Sequence, residues 1–150
     1  MDTLTISYQN IKKALLSLKE ALDDFADLET WYKNNPLNKD FDRCKRTYRD
    51  SLIQRFEFCT DLFWKYIKIY LEIIVLKTVD VHGPASVIKS ACSANIISED
   101  DGDMFIKMVK SRNLTSHIYK EETAELISSH IPSYYVLLIK YVDKLKPYLQ

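Results

Sequence analysis

Apolar residues return every seven positions near the start of the chain. Leu4, Ile11, Leu18 and Phe25 form one row, and Tyr8, Leu15 and Leu22 form a second beside it. Two rows at that interval make one apolar face of a helix, so the pattern predicts an amphipathic helix from about Thr5 to Tyr32. Residues 33–39 hold Asn34, Asn35, Pro36 and Asn38, which read as a loop. A second helix is expected from about Phe41 to Val79, burying Leu52, Phe56, Cys59, Phe63, Ile67, Tyr70 and Ile74 at alternating steps of four and three. Gly83-Pro84 breaks the pattern and suits the opening of a short third helix, about Ala85 to Ala94. Ser98 followed by Glu99, Asp100 and Asp101 reads as a cap and an acidic first turn, opening a fourth helix to about Leu114. The last helix should start near Glu121 and carry Ala124, Ile131, Leu138 and Leu145 in one row, with Tyr135, Val142 and Leu149 alongside. Pro132 should kink or split it. The expectation is an all-α, up-and-down bundle of about five helices.

Composition agrees with that reading. Two glycines and four prolines in 150 residues favour long helices over a turn-rich sheet. At 47% hydrophobic residues, the chain is too apolar to stay disordered. Residues 1–150 are expected to form one domain, a length that can bury a core without staples. Formal net charge is zero, so any affinity for nucleic acid must come from a local patch. Cys44, Cys59 and Cys92 form no CxxC pair, which suggests neither a zinc site nor a disulfide framework. The start of the chain lacks a basic, long apolar leader, and Ile73-Ile74-Val75-Leu76 is far too short to span a bilayer. A cytoplasmic protein is expected.

The chemistry concentrates in residues 111–122, Ser-Arg-Asn-Leu-Thr-Ser-His-Ile-Tyr-Lys-Glu-Glu. Arg112 continues the apolar stripe of Met104, Phe105, Met108 and Val109, so it should face protein or a partner. A guanidinium matches phosphate oxygens, and an imidazole such as His117 exchanges protons near neutral pH. Lys107, Lys110 and Lys120 make the region locally basic, with Asp103 as the nearby offset. On a continuous helix, His117 and Tyr119 would lie about 200° apart, so either the chain turns a corner near Thr115-Ser116 or the two side chains point differently, and a break is expected before the last helix. Arg43, Lys45, Arg46, Arg49 and Arg55 read as a solvated basic face, with Arg46 paired to Asp50, the alternative being a contact to RNA backbone or a partner. His82 and His130 stand apart from the motif and are read as non-catalytic. Glu121 and Glu122 are read as acids at a helix start. No glycine-rich phosphate loop occurs, so no cofactor is expected.

Residues 112–124, Arg-Asn-Leu-Thr-Ser-His-Ile-Tyr-Lys-Glu-Glu-Thr-Ala, resemble the signature of the HEPN superfamily. Within it the chain resembles the nucleotidyltransferase substrate-binding proteins, which include the HepT toxins. Ile53 to Phe58, Trp64-Lys65, Tyr70-Leu71 and Gly83-Pro84 also fit that family, and the likeness runs over roughly residues 8 to 149. The resemblance implies a HEPN-like helical domain and a toxin that cleaves RNA without metal. Arg112 and His117 would then be catalytic, Asn113 would position RNA, and both copies of a homodimer would share one cleft. It further implies that a minimal nucleotidyltransferase antitoxin attaches AMP to Tyr119. The alternative is a non-catalytic subunit that docks a nucleotidyltransferase and presents its substrate.

Overall fold

The computed structural model describes residues 2–37, 40–79 and 83–147. His82 and Leu149, weighed above, lie outside the described residues. The described residues form five α-helices, namely α1 (Thr3–Lys33), α2 (Phe41–Ile73), α3 (Pro84–Ser93), α4 (Glu99–Asn113) and α5 (Glu121–Lys144). A 3-10 turn, Leu114–His117, follows α4 directly. None of these helices is long and apolar enough to cross a membrane.

The two long helices run antiparallel. Ring contacts join Tyr32 to Phe41 at 4.8 Å near the loop and Tyr8 to Tyr66 at 5.8 Å near the far end. Between them, Arg55 donates to the Ser17 carbonyl at 2.8 Å, so this arginine fastens α2 to α1. Helix α5 runs alongside α2 in the same direction. Arg49 meets Glu121 and Glu125 at one end, Phe56 stacks on Tyr134 in the middle, and the Tyr66 hydroxyl donates to the Leu145 carbonyl at the other. Helix α4 opposes both, with Phe63 stacked on Phe105 at 4.7 Å and Asp101 bonded to Lys140 and Tyr141. One apolar core runs through all five helices, and the predicted rows supply most of it, with Phe25, Leu22 and Tyr135 half-buried at its margin.

Three expectations need correction. Helix α2 ends at Ile73, not Val79. Leu76 takes a left-handed φ of 56°, and the Lys77 amide reaches back to the Leu71 carbonyl at 3.0 Å. That closure turns the chain, and Val79 is buried outside any helix. Of the kink or split expected at Pro132, the split does not occur, and α5 continues through it as one helix. The missing N–H falls on the Ser128 carbonyl, four residues back, and so removes one rung of the ladder. Asp50 lies 3.5 Å from Arg49 Nε, so its partner is Arg49 where Arg46 was expected.

Glycine is required at one place and favoured at another. Gly83 caps α3 at φ 116°, a conformation that a side chain would strain. At Gly102 an added Cβ would lie 2.3 Å from Cys92 Sγ, so the missing side chain lets α4 approach α3 closely.

Candidate functional site

The 3-10 turn arises from its own hydroxyls. Thr115 Oγ1 donates to the Arg112 carbonyl at 2.7 Å, and Ser116 Oγ donates to the Asn113 carbonyl at 3.4 Å. Hydroxyls that take carbonyls three residues back compete with the α-helical ladder and favour the tighter turn. The expected break near Thr115-Ser116 is therefore observed. The Lys120 amide then closes on the His117 carbonyl at 3.1 Å before α5 begins.

Arg112 sits in the last turn of α4 and Asn113 ends that helix. His117 ends the 3-10 turn and is exposed, and Tyr119 two residues on is 77% exposed. The break brings their rings to the same side, 5.9 Å apart and edge to face. Lys120 Nζ lies 5.9 Å from the centre of the Tyr119 ring. Asn113 is also exposed.

The surroundings of Arg112 differ from the basic patch expected. Two acids of α2 face it. Asp61 takes Nε and Nη2 in a two-pronged pair at 3.0 Å each, and Glu57 lies 3.1 Å from Nη1. Nη1 also donates to Thr115 Oγ1 at 3.0 Å. The fork geometry fixes the plane of the guanidinium as well as its position. Bonding to Asp61 also pushes the arginine pKa further up, so its charge is permanent. Asp103, expected as the offsetting acid, instead lines a groove on the α3 side of α4.

A second arginine departs from its sequence reading. Arg49 is expected on a solvated face, yet it is 2% exposed. It bonds Glu121 at 2.6 Å and Glu125 at 2.9 Å. Glu121 thus holds the start of α5 against α2, two residues after Tyr119, in addition to being an acid in a first turn. The bond from Arg49 holds the Glu121 carboxyl below the usual carboxylate range.

Glu57, Asp61 and Thr115 escaped the sequence reading of the site. A faint signal existed, because Glu57 and Asp61 are four apart and share one face of α2. On the other side of the motif, Ser111 Oγ pairs with the Tyr134 hydroxyl at 3.2 Å. That pair lies in a groove between α4 and α5 with a volume of about 460 Å³, which also holds Lys107, Lys110 and His130. Among the described residues, no group of three or more His, Cys, Asp or Glu is arranged to hold a metal ion.

The model of the family described as nucleotidyltransferase substrate binding protein like matches residues 6–147. No curated protein matches the sequence. Among solved structures, a Thermus thermophilus protein is 27% identical, with a TM-score of 0.72 over 91% of this chain and 99% of that one. A Haemophilus influenzae protein, described as revealing the fold of a substrate-binding domain of a nucleotidyltransferase, is 20% identical, with a TM-score of 0.76 over 93% and 99%. The tri-AMPylated Shewanella oneidensis HEPN toxin, solved in complex with MNT antitoxin, is 18% identical, with a TM-score of 0.67 over 95% and 96%.

Proposed function

The chain belongs to the nucleotidyltransferase substrate-binding-protein-like family and has a HEPN-like fold, and on that footing we propose that it is the RNA-cleaving toxin of a toxin–antitoxin pair. Its partner is a minimal nucleotidyltransferase, the kind of protein that accompanies the Shewanella relative. The observation that carries this reading is the turn at residues 114–119. It presents an exposed imidazole and an exposed phenol, ring centres 5.9 Å apart, a few residues beyond an arginine of fixed orientation.

His117 removes the proton from a ribose 2′-hydroxyl, whose oxygen then bonds to the adjacent phosphorus. The bond to the 5′ oxygen breaks, and that oxygen takes a proton from an imidazolium. Charge growing on the phosphate oxygens is stabilised by Arg112. Asn113 positions the strand. No metal ion enters this route. Two copies of the chain bring their motifs to one cleft. The switch is covalent: the Tyr119 oxygen attacks the α-phosphorus of ATP, pyrophosphate leaves, and the attached AMP blocks the cleft.

A second reading, a non-catalytic docking subunit, is favoured by one feature. Both prongs of Arg112 are occupied by Asp61, and Glu57 takes part of the rest. A guanidinium so engaged is less available to a phosphate.

Expression of the chain in bacteria separates the two readings. The toxin reading expects growth arrest by the chain alone. Growth should recover when an active minimal nucleotidyltransferase is co-expressed, and should not recover for Tyr119→Phe. A docking subunit expects unimpaired growth in every case.

A further inference from the structure

The groove between α4 and α5 begins where the motif begins. Ser111 and Leu114, which line it, flank Arg112 and Asn113 in sequence. Its floor is apolar and open to water, with Leu114 44% and Leu126 56% exposed. Its rim carries Lys107 and Lys110 from α4 and His130 from α5. All three are exposed, and no carboxylate lines the groove among the described residues. The acids that pair with Arg112, Glu57 and Asp61, reach it from α2. His130 lies ring to ring with Tyr134 at 6.1 Å, which places an aromatic face at the rim.

We infer that this groove is a nucleotide subsite that holds one base and its phosphate beside the scissile bond, using Lys107, Lys110 and His130. The inference rests on RNA being the substrate. It adds a binding role for a histidine that is not part of the motif. The chemistry is that of single-strand recognition: cations follow the phosphates and a ring or apolar floor takes the base face. A groove of about 460 Å³ is roomy enough for a single nucleotide. Ser111 and Leu114 belong both to the groove and to the motif, so a strand bound here would lie beside the residues that carry Arg112 and Asn113. The groove's cations come from α4 and α5, whereas the acids that hold Arg112 come from α2.

The test uses a fluorescein-labelled 2′-O-methyl oligoribonucleotide, which has no free 2′-hydroxyl and cannot be cleaved by the proposed route. Anisotropy measures its affinity for the full chain as a function of salt. The paired change Lys107→Gln with Lys110→Gln should weaken binding about 10-fold or more at low salt and flatten the salt slope by about 1.4, the value for two phosphate contacts on a single strand. His130→Ala should weaken binding about 5- to 150-fold, the range for losing a stacked base. All three side chains are exposed, so helical content by circular dichroism should not change. Unchanged affinity and slope in these variants would overturn the subsite. So would a wild-type protein that fails to bind the probe. A change in oligomeric mass with unaltered affinity per binding site would make the groove a subunit contact, and would overturn it too. Cleavage of ordinary RNA is scored separately, so a protein that binds through the groove but does not cut would refute the nuclease reading alone.

Discussion

Arg112 is a charged residue on an apolar stripe, and its partners explain how it can be there. Asp61 and Glu57 come from 51 and 55 positions away in the chain, so no local pattern connects them to the motif. The sequence shows the arginine, histidine and tyrosine at their spacing, but not that two carboxylates hold the arginine. This gives Asp61 a testable positioning role. Asp61→Asn keeps the shape but weakens the fork and removes a negative charge near the phosphate site. RNA should bind more tightly while kcat falls about 100-fold, the order expected when a catalytic group is misplaced by about 1 Å. Equal losses in kcat and in affinity would indicate general damage. Tyr119 provides a second test at this scale. The residue is 77% exposed, so its phenol can enter another enzyme's active site without local unfolding. Incubation with the nucleotidyltransferase and ATP should add AMP to Tyr119, seen by intact mass and peptide mapping. Tyr119→Phe should cleave RNA normally and resist silencing. AMP found only on another of the ten tyrosines would contradict the switch.

At the scale of elements, periodicity located the helices well because each buries one face against its neighbours. The rows on α1 and α5 give both their extent and their inward side. The end of α2 was not legible, since Ile73-Ile74-Val75-Leu76 is as apolar as the helix before it. What stops the helix is a left-handed Leu76, a conformation no pattern of hydrophobicity encodes. The burial of Arg49 was hidden for a related reason. It sits in a charge-rich stretch, with Arg43, Lys45, Arg46 and Asp50 around it, and its acids lie 72 and 76 residues on. The clamp it forms has a pH signature. The Glu121 pKa is lowered in the fold by the bond from Arg49. Its contribution is therefore present above the ordinary carboxylate pKa and is lost as pH falls through the depressed value. Arg49→Met should lower the melting temperature at neutral pH by about 2–4 °C, the shift expected for about 1 kcal/mol in a chain of this size. The gap between variant and wild type should narrow on acidification below the usual carboxylate range. A gap independent of pH would mean that Arg49 acts by packing alone.

At the scale of the whole molecule, the bundle leaves its motif on the surface, where one copy alone offers a shallow site. The proposed account requires two. Light scattering at micromolar concentration should give the mass of a dimer, about twice 17.6 kDa. A protein that stays monomeric while cleaving RNA would remove the shared cleft from the account.

In the proposed chemistry Arg112 and His117 together cut RNA. The most direct measurement follows cleavage of single-stranded RNA by purified, unmodified protein in the presence of a metal chelator, beside Arg112→Ala and His117→Ala. The wild type should cleave the RNA. Losing the histidine should lower the rate about 100- to 10,000-fold, the usual contribution of a proton-transfer group, and the arginine variant should be likewise inactive, with both variants fully helical. Cleavage by His117→Ala at the wild-type rate, or cleavage that requires added divalent metal, would rule out this chemistry.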